Sequence, residues 1–425
     1  MSYKFVRYFK RKEEENYWDF LDKRDKPIDL IAQYPAKMVS DMQGEIIKEI
    51  TKEIDIENIF DPFMGSGTIL TESIILGIPN IIGNDINPFS HLITKVKTTK
   101  LNSEYLNKIL EILIKDVKNE KLLKIRYFKK ITKWFTINTI HELSKILNQI
   151  EKIENNDVKD FFSLAFSSLV KSVSNSRTST FKLHIKASEK IIEVDNILER
   201  FKKISQKQID SCNDFWNSEK FNNSKIKLYN YDLKKLKLNE KIDLIVTSPP
   251  YGDNKTTVTY GEFSILQLKW LGYDNKYTEN YSAIDSLSLG GKLCKKEEIR
   301  NLEIYKISSQ VRKIVDLLLK ETDCEKAKKV ITFMQDFFNT LKILKENLKN
   351  NGLIVLTVGN RKVNNNEIFF NKIIDEMVEN INLTKVIEFS RNLPSTKKIA
   401  TRTSKLANGN SVESMSKEYV LIYKK

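Results

Sequence analysis

The sequence predicts a doubly wound α/β fold, an open and mostly parallel sheet with helices on both faces, and three observations carry that expectation. First, an apolar β-type run over residues 54–60 leads into Asp61-Pro62-Phe63-Met64-Gly65-Ser66-Gly67-Thr68, and a helical stretch over 68–76 follows, closed by Gly77 and Pro79. Second, a shorter apolar run, Ile81-Ile82-Gly83, enters Asn84-Asp85-Ile86-Asn87-Pro88 and sets an acid about twenty positions beyond the glycine turn. Third, β-type runs recur at 225–231, 242–246, 352–358, 383–389 and 418–423, with helical stretches among them. Strands alternating with helices make parallel crossovers.

The first unit is strand, tight turn, helix. Gly65 and Gly67 let the backbone pass close to a ligand, and the free N–H groups that open the next helix favour an electron-rich partner. Asp85 stands at the carboxyl end of the second strand, where doubly wound sheets place a carboxylate on ribose hydroxyls; an Asp there can also cap the helix that begins near Pro88. A nicotinamide or flavin site satisfies these facts as well, so the nucleoside cofactor stays open at this point.

The run 242–246 delivers Thr247-Ser248-Pro249-Pro250-Tyr251 to the rim of the sheet. Two prolines fix φ and remove two donors, which leaves backbone carbonyls free to accept. An exocyclic amine conjugated to a base is a poor nucleophile because its lone pair is delocalised. Acceptors on its two hydrogens orient that lone pair toward an electrophilic methyl group. Tyr251 adds a ring on which a base pulled out of a duplex can stack, an interaction worth ~1–3 kcal/mol.

On these residues the chain resembles the amino-group DNA methyltransferases of restriction–modification systems, which move a methyl group from S-adenosylmethionine to cytosine N4 or adenine N6. Asp61, Phe63, Gly65, Gly67 and Thr68 match their cofactor motif, Asp85 their ribose acid, and Ser248, Pro249, Pro250 and Tyr251 their catalytic motif. Tyr34-Pro35-Ala36-Lys37-Met38 resembles the N-terminal motif that packs over the methionine end of the cofactor, which brings in Tyr34, Pro35 and Lys37. Asp232, after the run 225–231, sits where the family places a polar group near the adenine. The resemblance implies a Rossmann-like sheet of seven strands with the last antiparallel, carrying a mainly helical insertion. It also implies S-adenosylmethionine as cofactor and double-stranded DNA as substrate, with a restriction endonuclease acting on the same sequence.

The target atom rests on one residue. Asp at the first position of the catalytic motif accompanies adenine N6 in this family, whereas Ser-Pro-Pro-Tyr is the cytosine N4 pattern, so Ser248 points to N4 with N6 as the alternative. Methylation at cytosine C5 needs a Cys nucleophile after Pro, and Cys212, Cys294 and Cys324 follow Ser, Leu and Asp instead. A structured-RNA amino methyltransferase would share every motif. An inactive DNA-binding module would keep the fold, although intact Gly65, Gly67, Asp85 and Pro249 oppose it.

Composition narrows the classes without choosing among them. The chain has 425 residues, and 71 Lys and Arg against 56 Asp and Glu give a net charge of +15, which favours a polyanionic partner. Three scattered cysteines fit a reducing cytoplasm, no apolar run reaches the ~20 residues of a membrane span, and His91, His141 and His184 lie too far apart for a metal motif.

The catalytic domain is expected in three pieces, 30–98, 223–256 and 341–425. A helical insertion over 99–222 is marked by Leu106, Ile109, Leu110, Leu113 and Val117 and then by Leu143, Ile146 and Ile150. A second insertion, 257–340, is a candidate DNA-recognition region; a polar loop over 253–261 that carries Lys255 leads into it, and a helix over about 325–348 runs out of it. Two other stretches bring the cations and hydroxyls that meet phosphates and base edges. One is 174–184, with Arg177 and Lys182, and the other is 391–417, with Arg391, Lys397 and Arg402.

Overall fold

The computed structural model describes residues 3–20, 25–120, 124–177, 182–191, 193–217, 221–253, 257–321, 324–393, 402–405, 411–413 and 415–425. Seven strands share one sheet: β1 (Asn58–Asp61), β2 (Asn80–Asn84), β3 (Lys225–Tyr229), β4 (Ile242–Thr247), β5 (Leu348–Gly359), β6 (Thr384–Asn392) and β7 (Lys417–Lys424). Their spatial order is β3-β2-β1-β4-β5-β7-β6. The first five pair in parallel, and β7 runs antiparallel to both β5 and β6. The doubly wound sheet with an antiparallel last strand is therefore the fold of this chain.

Near-continuous apolar strands result because both sheet faces are covered. Ile59, Ile81, Leu244, Val246, Leu353 and Val355 enter one core, while Phe60, Ile82, Ile245, Ile354 and Leu356 enter the other. Neighbours in sequence take opposite faces, as the strand period of two requires. The expected start of β1 at Ile54 is corrected to Asn58, because helix α2 (Ser40–Thr51) winds on through the Ile54 amide bond to the Ile50 carbonyl. At the other end, β3 stops at Tyr229, and Tyr231 is held instead by the Asn84 side-chain amide.

Helix α1 (Lys4–Glu14) covers the outer edge of β6. Phe9 and Trp18 pack on Phe389, and Glu13 and Asp19 accept from the backbone amides of Ser390 and Asn392. The edge is thus paired with side chains rather than left open to another strand. Helix α3 (Thr68–Leu76) ends at Gly77 in the left-handed region, as the sequence predicts, and α4 (Pro88–Thr98) starts under an Asn87 cap. The cap is therefore Asn87 and not Asp85.

The long insertion begins with α5 (Ser103–Asn119), and its longer helices further on are Ile137–Glu151, Asn156–Val173 and Ile197–Trp216. Leu106, Leu143, Phe162 and Trp216 join the same continuous core as Ile59 and Ile81. The helices of the second insertion divide between the faces: Tyr260–Trp270 enters that core, and Ser309–Lys320 and Cys324–Asn347 cover the other. Tyr260 and Gly261 open a helix where a loop was expected. Among the described residues, no helix is long and apolar enough to cross a membrane.

Candidate active site

The carboxyl ends of β1, β2 and β4 meet at one cleft. Asp61 closes β1, and its Oδ1 accepts from the Thr247 hydroxyl at the end of β4 (2.6 Å) and from the Phe63 amide (3.1 Å). This bond ties the cofactor motif to the catalytic motif below the cleft floor. The second carboxylate oxygen of Asp61 is buried with no hydrogen-bond partner among the described residues. Burial therefore raises the Asp61 pKa to about 7, against the pull of its two hydrogen bonds.

The turn after β1 is built from backbone and one acid. Met64 N–H bonds the Asn84 carbonyl (3.0 Å), and Gly67 N–H closes back on Met64 (2.7 Å). Gly65 and Gly67 have φ of +50° and +80°. A Cβ on Gly67 would also sit 2.9 Å from the Thr94 hydroxyl, so α3 and α4 pack this closely only over glycine. Asp85 accepts from the Gly65 amide with Oδ2 and from the Asn87 amide with Oδ1, both at 2.9 Å. Burial raises its pKa although these backbone bonds oppose the shift. These two bonds take one direction on each carboxylate oxygen, and the residue still lines the cleft.

The N-terminal segment lies over the turn. The Tyr34 ring covers Gly65, where a Cβ would come within 3.1 Å of it, and it packs on Tyr260 with ring centroids 5.6 Å apart. Lys37 donates to the Asp29 carbonyl (2.8 Å), and Asp29 in turn forms a fully buried ion pair with Lys97 of α4 (3.1 Å). Lys37 is therefore first an anchor for its own segment. Asp232 caps the turn that follows β3 by accepting from the Lys234 amide.

Nine of the residues singled out from sequence line the cleft: Tyr34, Lys37, Phe63, Gly65, Thr68, Asp85, Asp232, Ser248 and Pro250. Pro35, Asp61, Gly67, Pro249 and Tyr251 are not among its lining residues. Tyr251 is partly buried; its ring lies over Gly359, and its hydroxyl bonds both Ser248 and Glu418. Sequence reasoning missed Tyr260, Tyr231 and Leu289, which also line the cleft. Tyr260 was hidden inside the polar stretch 253–261, and only its aromatic character set it apart.

The expected DNA cations fare differently. Arg391 is corrected: it lies within β6, 4% exposed, with its guanidinium gripped by the Glu418 carboxylate, so it faces no phosphate. Arg177 is exposed, beside a bridge between Ser176 and Ile185 that folds its segment back on itself, and Lys182 is exposed nearby. Arg402 falls in the short strand Arg402–Lys405. Lys255 and Lys397 lie outside the described residues.

The lining suits a nucleoside carrying a charged amino-acid tail. Phe63, Leu233 and Leu289 supply apolar wall, Asp85 and Asp232 supply acceptors, and the glycine turn admits close approach. Fold and site together define a methyltransferase that uses S-adenosylmethionine. The model of the D12 class N6 adenine-specific DNA methyltransferases matches residues 40–269. The type II methyltransferase M.MvaI of Kocuria varians is 32% identical over 409 residues, 92% of this chain and 89% of that protein. The type II methyltransferase M.MjaII of Methanocaldococcus jannaschii is 32% identical over 169 residues, 34% of this chain and 31% of its own. Among solved structures, the rRNA methyltransferase aviRa of Streptomyces viridochromogenes aligns over 96% of both chains at 8% identity, with a TM-score of 0.30. This chain belongs to the amino-group DNA methyltransferases of restriction–modification systems.

Proposed function

We propose that the chain methylates the exocyclic N4 of cytosine at a specific sequence in duplex DNA, as the modification enzyme beside a restriction endonuclease of the same specificity in the cytoplasm. The observation that carries the reading is Ser248, the first residue of Ser-Pro-Pro-Tyr, lining the same cleft as Gly65 and Asp85 at the end of β4. A neutral hydroxyl stands there instead of a carboxylate.

S-adenosylmethionine, when bound, supplies an electrophilic methyl group on a sulfonium. The free acceptor directions of Asp85 take the ribose hydroxyls, Asp232 serves the adenine, and Tyr34 and Lys37 close over the methionine end. Ser248 and the Pro249 carbonyl accept from the target amine and aim its lone pair at the methyl, while the Tyr251 ring offers the base a stacking edge. Catalysis in this reading comes from positioning more than from a strong base. The three pieces 30–98, 223–256 and 341–425 form the catalytic domain, and the insertion 257–340 is the recognition region. Arg177, Lys182, Lys255, Lys397 and Arg402 meet the DNA backbone, consistent with the net charge of +15.

Adenine N6 is the second reading, favoured by the description of the matching family model as N6 adenine-specific. Mass spectrometry of digested DNA from cells expressing the protein decides between them. N4-methylcytosine supports the proposal, and N6-methyladenine alone replaces it with the second reading. Methyl transfer to structured RNA in preference to duplex DNA overturns both.

A further inference from the structure

Three strands contribute one residue each to a row beneath the catalytic motif. Gly359 of β5 pairs across to Glu418 of β7, and Glu418 pairs across to Arg391 of β6. The row lies under Tyr251, because a Cβ on Gly359 would fall 2.9 Å from Tyr251 Cε2. From there the Tyr251 hydroxyl donates to Glu418 Oε1 (3.1 Å) and meets the Ser248 hydroxyl (3.2 Å). Arg391 holds the other oxygen of Glu418, with Nε at 2.7 Å. Tyr251 and Glu418 are partly buried, and Arg391 is buried.

Counting protons fixes the direction of this chain. An ionised carboxylate only accepts, so the single hydroxyl hydrogen of Tyr251 goes to Glu418. The Ser248 hydroxyl must then give its own hydrogen to Tyr251 and presents only lone pairs to the cleft. Burial and the neighbouring Glu418 charge both raise the Tyr251 pKa well above its ordinary value, which keeps that proton in place. The direction matters for the chemistry. A serine free to rotate donates to an amine as readily as it accepts, and a donor there occupies the lone pair that must attack. An aspartate at this position needs no such help, since it carries no proton to donate.

We propose that Glu418, fixed by Arg391 and acting through the Tyr251 hydroxyl, is the positioning residue that makes Ser248 an obligate acceptor for the target amine. The proposal rests on Ser248 as the residue that meets that amine, and it adds a role for the tyrosine hydroxyl beside that of the ring. No proton moves along the chain during transfer; it acts by holding the hydroxyls in one orientation.

The test is steady-state and single-turnover kinetics of Tyr251→Phe, Ser248→Ala and their double variant on duplex DNA, with S-adenosylmethionine affinity and product identity measured alongside. Tyr251→Phe removes one oxygen atom and keeps the ring. It is expected to lower kcat roughly tenfold, the scale of one neutral hydrogen bond, and to leave cofactor affinity and DNA KM unchanged. In the Ser248→Ala background the same change is expected to cost nothing further, because its only target is gone. Glu418→Gln should reproduce the Tyr251→Phe loss, and Tyr251→Ala should lose in addition the quenching of a fluorescent base analogue at the target position, which Tyr251→Phe keeps. Wild-type kcat for folded Tyr251→Phe overturns the proposal, as do losses for Tyr251→Phe and Ser248→Ala that multiply in the double variant. Product analysis reads the base identity separately: N6-methyladenine removes the N4 reading while these kinetic ratios still score the relay.

Discussion

The two halves of the cleft are built by different means. The half that we assign to the cofactor is made of backbone: the turn at Gly65 and Gly67 is held by main-chain bonds to Met64 and Asn84, and one acid, Asp85, fastens it. All of that lies between β1 and the start of α4. The half that we assign to the target base draws on three further strands, since Tyr251 rests on Gly359 and is bonded through the Glu418 side chain to that of Arg391. A nucleoside cofactor is constant and suits a fixed backbone mould. Orienting a weakly nucleophilic amine instead depends on where individual protons point, and only side-chain networks set that.

The largest expected effect lies in the cofactor half. Asp85→Ala removes the proposed ribose acceptor and the bond that fastens Gly65. Calorimetry should then show S-adenosylmethionine affinity reduced by about 3 kcal/mol, on the order of a hundredfold, as for hydrogen bonds to a charged group. Unchanged affinity in a folded variant would remove Asp85 from the cofactor site.

Gly359→Ala tests whether the other half is independent. Its Cβ would press on Tyr251 and on the Met415 side chain, at a cost of about 1–3 kcal/mol for overpacking. Turnover should fall by roughly tenfold, the kinetic equivalent of about 1.4 kcal/mol. Cofactor affinity should stay at the wild-type value. A parallel loss of cofactor affinity would mean that the two halves move as one.

The smallest effect probes the seam between them. Asp61 has a folded pKa of about 7 against an ordinary 3.8, so the folded protein holds this proton more tightly than the unfolded chain does. Its contribution is fully present below the ordinary value and is lost as pH rises through about 7. Glu72, also raised to about 7 by burial, adds to the same trend. Asp61→Asn keeps an acceptor for Thr247 and should flatten part of the fall in melting temperature between about pH 4 and pH 7. An unaltered slope would assign the whole trend elsewhere.

The same contrast explains what was legible in the sequence. Gly65, Gly67 and Asp85 declare themselves because the turn and its acid are separated by a single helix, so local spacing carries the geometry. Ser248 and Tyr251 are visible as residues, yet their partners are not. Gly359 reads as an ordinary strand end, Glu418 as one charge in a terminal strand, and Arg391 as the start of a basic loop. Pairing of β5, β7 and β6 brings them together, and a register set by whole-sheet packing leaves no local mark. Tyr260 was lost for a related reason: the tertiary contact with Tyr34 gives it meaning, while the polar residues before it read as loop. Two of the strand boundaries that moved, at Asn58 and Tyr229, moved where a helix end or an Asn side chain took over the backbone groups.

The strand order also sets a sequence of assembly. β7 stands between β5 and β6, so β5 must keep one edge unpaired until β7 arrives, and β6 has no sheet partner before then. Contacts of long sequence separation form late because loop closure must come first. The parallel unit of β1 and β2, joined by one helix, closes early by the same reasoning. On this order the glycine turn is expected to take shape before the row beneath Ser248 is complete, so that methyl transfer would wait on the arrival of a single strand.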